Sequence, residues 1–441
     1  MRKLAYVVDI RSLEPIPNSN NLEVAIPNGH GWEIVVQKGE FQIGDLAVMF
    51  EIDAFLDPND ERYSFLKERC LRKFVSKGGN VLREGIKIKT IKLRGQISQG
   101  LLMPLDKFPE ILARVRDFKP EYVRKGCISD AELVGKVFLV ETAEEYNARK
   151  DKEDSDYCTE NQGIPPPPRM PYTTDAEEGN EVWRHYCCPL VGADVTALLH
   201  VEHYDEVKEQ LQPAMGNPIC ADAKGKFPSD FIPKSDEERI QGHMEFFEAY
   251  RDATFEITAK DDGSSMTVAY SPRIDQEDPF IVCSRNLRLK RPEEGGKVSA
   301  FWQVVRKYDL EANLKDLYET LCKEFAFQGE LVGPGVNADR DGYKDYEFHV
   351  FRIWDIINQG FVPPKNRRNI CHVLKLPHVQ VIEDNYPFFQ KITTIEEALK
   401  FAEGKTIRGN EREGIVLKQD DGNGDLHFKI VSNRYLLKQE D

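Results

Sequence analysis

The sequence predicts a multidomain protein in which an all-β domain is followed by a larger α+β domain. The chain has 441 residues, which is more than a typical single domain needs to bury a core. Its first hundred residues contain short strand-like runs separated by glycine. Beyond about residue 240, such runs alternate with helical patterns, of which residues 293–325 are an example.

Four short runs in residues 1–105 predict a small β-barrel of the OB type, because glycine punctuates them at the spacing typical of such barrels. The runs are GWEIVVQKG, GDLAVMFEID, GIKIKTIKLRG and QGLLMPL. We therefore predict that residues 1–105 form the first domain.

Positive charge is concentrated in one part of this domain. The net charge of the whole chain is −15, which argues against a protein that is basic over its entire surface. Ten lysines and arginines nevertheless lie between Lys67 and Arg94, against two glutamates. This run is either a solvated face or a patch that binds nucleic-acid phosphates. For the second alternative, the candidate nucleic-acid-binding residues are Lys87, Lys89, Lys92 and Arg94.

Residues 106–188 are predicted to be an insertion between the two domains. Residues 151–181 are acidic, interrupted by proline and poor in aliphatic side chains, which is typical of a flexible or surface-lying segment. The run ELVGKVFLVE, residues 132–141, predicts one strand in this region. The insertion is either an inert elaboration or a module that binds a protein or gates the substrate. The α+β domain is predicted to cover residues 189–441.

The sequence also favours a soluble intracellular protein, in the cytoplasm or the nucleus. Asp9 and Arg11 interrupt the apolar run at the N-terminus, so it does not resemble a signal peptide. No later segment is long and apolar enough to span a bilayer.

Six short motifs follow one another in the α+β domain. The first, FEITAKDDGSSMTVAY, alternates apolar and polar residues on both sides of Asp262 and Gly263. This pattern predicts a β-hairpin in which glycine adopts a backbone angle that other residues avoid. The other motifs are CSRNLRLK with Arg285, FQGELVGPG with Glu330, EFHVFRIWDI with Phe351, EREGIVLKQ with Glu413 and LHFKIVSNRY with Lys429. Each has an ordinary structural explanation alone, but six in one domain favour a shared site.

In this order, the motifs resemble those of the covalent nucleotidyltransferases, the superfamily of DNA ligases, RNA ligases and messenger-RNA capping enzymes. The resemblance implies an α+β nucleotidyltransferase domain of the ATP-grasp-like ligase type, in which Lys260 attacks the α-phosphorus of ATP. A lysine amine attacks only when it is neutral. Its pKa must therefore be lowered by burial or by nearby positive charge, including a metal ion.

The resemblance also implies a role for each remaining motif residue. Asp262, Glu330 and Glu413 would hold hydrated Mg²⁺ or Mn²⁺, and the ribose hydroxyls are an alternative partner for Glu330. The nucleotide contacts would come from Gly263, where backbone and ligand approach closely, from Phe351 against the purine, from Lys429 at the α-phosphate, and from Arg285 at the nucleotide or the nucleic-acid end. His427 stands where relatives have a lysine, so Lys418 is the candidate for the second positive charge.

Four further segments resemble the Deinococcus-type RNA ligase family, also called the fifth RNA ligase family: residues 31–57, 88–105, 192–206 and 224–241. The resemblance implies an OB domain before the catalytic domain and no domain after it. It also implies sealing of 3′-hydroxyl/5′-phosphate nicks in RNA-containing duplexes through lysyl-AMP, and we expect a monomer. The alternatives are a DNA ligase of related fold, a GTP-using capping enzyme, and a non-catalytic RNA-binding protein on a degenerate transferase scaffold.

Overall fold

The computed structural model describes residues 3–117, 137–160, 165–166, 187–217, 220, 222–235, 237–337, 339, 341–419 and 426–438. The chain forms two compact units. The first comprises Met1–Asn28, Trp32–Val75 and Val81–Gln210, and the second comprises Gly29–Gly31, Ser76–Asn80 and Leu211–Asp441.

Ten short strands occupy the described residues up to position 105. They are β1 (Ala5–Pro15), β2 (Leu22–Pro27), β3 (Ile34–Gln37), β4 (Leu46–Phe50), β5 (Ala54–Leu56), β6 (Leu71–Val75), β7 (Val81–Lys87), β8 (Thr90–Leu93), β9 (Gln96–Gln99) and β10 (Leu101–Pro104). A short helix, α1 (Lys67–Cys70), precedes β6. Strands β8 and β9 form a hairpin, and Arg94 and Gly95 at its tip both have positive φ, as a two-residue hairpin loop requires.

The main sheet of the first unit is antiparallel, with the strand order β10-β4-β1-β2-β3. Paired residues of β1 and β4 alternate between two apolar clusters: Val7 and Val48 belong to one, and Tyr6 and Met49 to the other. Both faces of these two strands are therefore buried. The Gln99 N–H donates to the Glu33 carbonyl oxygen at 2.8 Å, which links the region before β10 to the region before β3. The sheet is thus closed almost into a barrel.

Residues beyond 105 continue the first unit with regular structure. The elements are α2 (Pro109–Leu112), β11 (Val115–Asp117), β12 (Val137–Val140), α3 (Ala143–Glu160), β13 (Cys187–Pro189), β14 (Glu202–His203) and α4 (Tyr204–Leu211). Strands β11, β12 and β13 form a small antiparallel sheet. Residues 151–160, part of the stretch predicted to be flexible or surface-lying, form the end of α3, where 151–157 are mostly exposed, while 161–164 and 167–181 lie outside the described residues. Of the predicted strand at 132–141, residues 137–140 form β12, and 132–136 lie outside the described residues.

The two units divide between Gln210 and Leu211, later than the predicted boundary at residue 189 and outside the stretch 151–181 predicted to separate domains. The reason is a set of long-range pairings. Gly192 N–H donates to the Val7 carbonyl oxygen at 2.7 Å, and β14 pairs with β5. These contacts attach residues 187–210 to strands that lie far earlier in the chain, and no local pattern announces them.

The second unit contains two sheets. Its strands are β15 (Ala223–Lys226), β16 (Glu238–Arg239), β17 (Phe255–Lys260), β18 (Ser264–Tyr270), β19 (Phe280–Cys283), β20 (Leu287–Leu289), β21 (Phe325–Val332), β22 (Glu347–Asp355), β23 (Gly360–Phe361), β24 (Val381–Tyr386), β25 (Gly414–Gln419) and β26 (His427–Val431). The seven-stranded sheet has the order β15-β20-β19-β18-β21-β22-β23. The five-stranded sheet has the order β16-β26-β25-β17-β24.

Helices cover one face of each sheet. They are α5 (Phe246–Ala249), α6 (Ala300–Lys307), α7 (Leu310–Leu321), α8 (Pro364–Val373), α9 (Phe388–Lys391), α10 (Ile395–Ala402) and α11 (Asn433–Lys438). Apolar residues of α6 and α7 pack on the seven-stranded sheet, and those of α9 and α10 pack on the five-stranded sheet. The helical pattern at 293–325 forms two helices, because Asp309 takes a left-handed conformation between them.

No helix among the described residues combines the length and the apolar character that a membrane crossing requires.

Candidate active site

Lys260 lies at the end of β17, where the chain passes from one sheet to the other. Strand β17 belongs to the five-stranded sheet and β18 to the seven-stranded sheet, so the prediction of a β-hairpin is wrong. Gly263 does not adopt the predicted backbone angle, since its φ lies outside the left-handed region. A glycine is needed here for a different reason, the space around it. A Cβ atom there would lie 2.8 Å from Glu330 Cγ and closer still to the Leu331 carbonyl oxygen. The turn therefore packs with its backbone directly against β21.

The ammonium group of Lys260 is paired with a carboxylate. Its Nζ donates to Glu413 Oε2 at 2.8 Å, and Gly414, the next residue, lies opposite Lys260 in the pairing of β17 with β25. Burial lowers the pKa of Lys260, but the carboxylates of Glu413 and Glu330 outweigh burial and raise it above its ordinary value. The expected lowering of this pKa is thus not met in this arrangement, which holds the protonated lysine.

Glu330 lies on β21, opposite Ser265 of β18 and His349 of β22. Its Oε1 accepts a hydrogen bond from the Gly263 N–H at 3.1 Å. Burial raises the pKa of Glu330 to about 8; the Lys260 ammonium opposes this, and the carboxylates of Glu413 and Asp261 add to it. Several carboxyl groups therefore lie close together around Lys260. A further cation there would favour the ionised form of these groups.

Asp262 is held by two residues that sequence reasoning missed. The Tyr435 hydroxyl of α11 donates to Asp262 Oδ2. Asn337, in the loop between β21 and β22, donates to Asp262 Oδ1 at 3.4 Å and to the Gly263 carbonyl oxygen. Both partners are more than seventy positions away from Asp262 in the sequence, and no local pattern connects them to the turn.

His349 was also missed, although the alternation of β22 contains a signal for it. Its neighbours Phe348 and Val350 belong to the apolar cluster, so His349 is directed to the other face of the sheet. There Nδ1 lies 2.7 Å from Asp261 Oδ2, and Nε2 lies 3.1 Å from Glu347 Oε2. Burial lowers the pKa of His349, but the hydrogen bonds and charges of both carboxylates raise it overall.

Phe351 lies at an irregularity of the same strand. Gln328 pairs with Arg352 and Gly329 pairs with Val350, which leaves Phe351 as the extra residue of a bulge. Phe351 is half-buried and, among the described residues, belongs to no apolar core cluster, unlike Phe348. A bulge that redirects an aromatic side chain away from the core is common beside functional sites.

Lys418 lies deep in the domain, four residues along β25 from Gly414, which is about 13 Å of strand. Its side chain is buried and donates to Thr258 Oγ1 at 3.0 Å. Burial, followed by the positive charge of Arg367, lowers the pKa of Lys418 to about 7. The structure therefore places Lys418 away from the turn, and a large fraction of it is neutral at pH 7.

The last motif contributes Lys429 and His427 of β26. Lys429 is half-buried and lies beside Val416 of β25 and Arg239 of β16. His427 Nδ1 accepts a hydrogen bond from Arg352 Nη1 at 3.4 Å. Burial and the positive charges of Arg352 and Lys418 hold the pKa of His427 far below its ordinary value. His427 is therefore neutral and does not replace the positive charge of a lysine.

Arg285 lies on an exposed turn between β19 and β20. The Leu287 N–H closes this turn by donating to Ser284 Oγ at 3.3 Å. The next residue, Asn286, accepts a hydrogen bond from Lys234 Nζ at 2.6 Å. The turn thus presents a basic side chain to solvent.

Among the described residues, no group of three or more histidine, cysteine, aspartate or glutamate side chains is arranged to hold a metal ion. Glu330 and Glu413 both act on the Lys260 ammonium, whereas Asp262 bonds to Tyr435 and Asn337. This donor set suits a hydrated ion, because Mg²⁺ keeps several of its waters and meets protein oxygens through them.

Comparison with known proteins relates both parts of the chain to described families. An RNA ligase family model matches residues 253–431, and an OB-fold domain model matches residues 4–105. The second unit contains an RNA ligase domain. The chain is thus an OB-fold domain followed by an RNA ligase domain of the nucleotidyltransferase superfamily, and the predicted fold class is confirmed.

Solved structures of an RNA ligase from Naegleria gruberi are similar over the whole chain. An apo variant has 26% sequence identity and a TM-score of 0.69, and all of both chains is covered. A variant with ATP and Mn has 27% identity, the same coverage and a TM-score of 0.68. A structure with PPi has 27% identity, the same coverage and a TM-score of 0.69. None of the curated proteins compared by sequence matches the chain.

The candidate nucleic-acid-binding residues precede the RNA ligase domain and lie in the OB-fold domain, in three different settings. Lys87 is engaged within its own unit: its Nζ lies 3.0 Å from Asp53 Oδ1 and 4.1 Å from the centre of the Tyr204 ring. Lys89 is half-buried, whereas Lys92 and Arg94 are exposed on the hairpin of β8 and β9. The structure therefore favours the hairpin residues over Lys87 as a phosphate-binding surface.

Proposed function

We propose that this protein is an ATP-dependent RNA ligase that acts through a covalent lysyl-AMP intermediate. The observation that carries the proposal is Lys260 at the junction of two sheets in an RNA ligase domain, paired with Glu413 and next to Glu330. The neutral amine of Lys260 attacks the α-phosphorus of ATP, a phosphoramidate bond forms and pyrophosphate leaves. AMP then passes to a 5′-phosphate, and a 3′-hydroxyl displaces it.

The carboxylates around Lys260 fit hydrated Mg²⁺ or Mn²⁺. The related Naegleria gruberi enzyme, which has been solved with ATP and Mn, supports this assignment. We assign the hydrated ion to Glu330, Glu413 and Asp262. When bound, the ion supplies positive charge that favours the neutral amine of Lys260 and offsets the charge of the phosphate oxygens. Burial, to which the carboxylates of Glu413 and Asp261 add, raises the pKa of Glu330 to about 8, and this buried group of carboxyls is the feature that favours a cation here.

The remaining residues bind and orient the nucleotide. Phe351, which the bulge separates from the apolar core, stacks on the adenine. Lys429 contacts the α-phosphate, and Gly263 allows the phosphates to approach the turn. Arg285 contacts the nucleotide or the nucleic-acid end from its exposed turn. We assign Lys418 a supporting role through its hydrogen bond to Thr258, two residues before the nucleophile.

The proposed substrate is a nick in an RNA-containing duplex, with RNA on the 3′-hydroxyl side. The order of an OB-fold domain before an RNA ligase domain supports assignment to the Deinococcus-type family. In this proposal the OB-fold domain grips the duplex through Lys92 and Arg94, and the enzyme acts as a monomer.

Lysine adenylylation is the direct test of the proposed function. With labelled ATP and Mg²⁺ or Mn²⁺, the protein should acquire AMP that survives alkali and is lost in acid, as a phosphoramidate is. Lys260→Ala should abolish the label, and mass spectrometry should map it to Lys260. Lys315→Ala, on the exposed surface of α7, is the matched control and should label normally. Equal labelling of Lys260→Ala would contradict the assignment.

The substrate requires a separate test. The enzyme should seal a nick with a ribose at the 3′-hydroxyl and should seal the matching deoxyribose nick more slowly. Labelled GTP in place of ATP should give no adduct. Equal sealing of both nicks would favour a DNA ligase, and an adduct with GTP would favour a capping enzyme.

A further inference from the structure

Every residue of the turn at 260–263 is bound by side chains that lie far from the turn in the sequence. The partners are Glu413 for Lys260, His349 for Asp261, Tyr435 and Asn337 for Asp262, and Glu330 and Asn337 for Gly263. His349 and Asp261 lie within two of the motifs, but neither is assigned a role in the proposed function. In the described part of the chain, no side chain other than His349 hydrogen-bonds to the Asp261 carboxylate.

The geometry of His349 is that of a double donor. Nδ1 faces Asp261 Oδ2 at 2.7 Å and Nε2 faces Glu347 Oε2 at 3.1 Å. Ionised carboxylates only accept hydrogen bonds, so a ring that bonds to both of them carries a proton on each nitrogen and is an imidazolium. His349 and Asp261 are largely buried, with side-chain exposures of 14% and 10%. A charged hydrogen bond in such a setting is strong and fixes the direction of both partners.

The rest of the surroundings hold the ring itself in place. The rings of His349 and Tyr343 pack in a T-shaped arrangement, with 5.7 Å between ring centres. The Arg408 guanidinium lies 4.1 Å from the centre of the Tyr343 ring and 3.6 Å from Glu347. His349 is thus held on β22 by Tyr343, in the loop before that strand, and by Glu347, which Arg408 approaches from the loop before β25, while its partner Asp261 lies in the turn.

We propose that His349 is a positioning residue for lysine adenylylation, and that it acts by holding Asp261. Asp261 is bonded directly to Lys260, and neighbouring Cα atoms are a fixed distance of about 3.8 Å apart. A turn that loses its hold on Asp261 therefore moves the base of the Lys260 side chain. This inference rests on the proposed function, because it concerns the reaction of Lys260 with ATP.

Three substitutions at one position separate this role from simple packing. The amide nitrogen of asparagine takes the place of Nδ1, so His349→Asn keeps a donor toward Asp261. The amide nitrogen of glutamine takes the place of Nε2, so His349→Gln keeps a donor toward Glu347 only. His349→Ala removes both. His372→Asn, at an exposed histidine of α8, is the matched control.

The measurement is the single-turnover rate of AMP transfer to Lys260 as a function of ATP concentration, for folded full-length protein. His349→Ala and His349→Gln should slow the maximal rate about tenfold to a hundredfold, since a misplaced group costs that much, and leave half-saturation by ATP within about twofold. His349→Asn should recover most of the rate. Recovery by glutamine instead of asparagine, or an equal loss in all three variants, would overturn the inference.

A double-mutant cycle tests the partner. Asp261→Ala should slow the reaction by a similar factor, and adding His349→Ala to it should change the rate by less than about twofold. Independent, multiplying losses would overturn the inference. Such a result differs from failure of the proposed function, in which the wild-type protein itself would acquire no AMP.

Discussion

Replacement of Gly263 by alanine tests how the turn is built. A Cβ atom at this position would lie 2.8 Å from Glu330 Cγ and 2.9 Å from Val332 Cγ1, whereas ordinary contact begins at 3.4 Å. The Leu331 carbonyl oxygen is closer still and belongs to the backbone of a central strand, which cannot yield easily. The turn itself must therefore move by about 1 Å, a displacement that costs about a hundredfold in rate when it misplaces a reacting group.

The assay is single-turnover adenylylation of Lys260, in which a hundredfold loss corresponds to about 2.7 kcal/mol of activation free energy. Gly360→Ala is the control, because a Cβ there would meet the Asn358 carbonyl oxygen at an ordinary 3.9 Å. Gly263→Asn distinguishes two explanations of the glycine. If a left-handed backbone were the requirement, asparagine would be tolerated better than alanine. Close approach to β21 predicts that asparagine is no better.

A Gly263→Ala enzyme that forms lysyl-AMP at the wild-type rate would refute the close packing of the turn on β21. An asparagine variant that is clearly more active than the alanine variant would refute it as well. Thermal unfolding of each variant, measured alongside, separates a displaced turn from an unfolded domain.

Three further predictions concern the carboxylates of Glu330 and Glu413, the hydroxyl of Tyr435, and the hairpin of β8 and β9. Glu330→Ala and Glu413→Ala should each reduce nick sealing about a hundredfold or more, because they remove carboxylates assigned to the ion that offsets the phosphate charge, and circular dichroism should show an intact fold. Tyr435→Phe should slow adenylylation about tenfold to a hundredfold, the value of one hydrogen bond to a charged carboxylate, in a single-turnover assay. Lys92→Ala with Arg94→Ala should weaken nick binding and lower its salt dependence in a titration, while adenylylation stays unchanged.

Each of these predictions has a control in the same chain. Glu319→Ala, on the exposed surface of α7, should seal normally. Lys87→Ala should lower the stability of the OB-fold domain more than it weakens nick binding, since the contacts with Asp53 and Tyr204 are lost. Near wild-type sealing by both glutamate variants would contradict the metal site, and unchanged nick binding by the hairpin variant would make the basic run a solvated face.

The fold class was predictable because local signals were strong. Alternating residues and glycines indicated the strands of the barrel, and the helical pattern at 293–325 indicated α6 and α7. The boundary between units was not predictable in the same way. It depends on pairings such as Gly192 with Val7, in which nearly two hundred residues separate the partners. The sequence pattern of one segment does not indicate which distant segment it pairs with.

The site was predictable in part, for the same physical reason. The motifs identified Lys260, Glu330 and Glu413, and the structure brings these three together. The hairpin was wrongly predicted, because alternation shows that a segment is a strand and does not show which strand lies beside it. His349 and Tyr435 escaped notice because a partner of the turn is defined only once the sheets have formed.

The junction at residues 260–263 has a consequence for protein engineering. A short sequence is portable when its own residues determine its conformation, as in many hairpin loops. Here the conformation is imposed by two sheets and by side chains as distant as Tyr435, 173 positions from Asp262. Grafting Lys-Asp-Asp-Gly onto a foreign hairpin would transfer the sequence without its conformation. The smallest part of the chain that could be moved with Lys260 still in place is therefore the entire second unit.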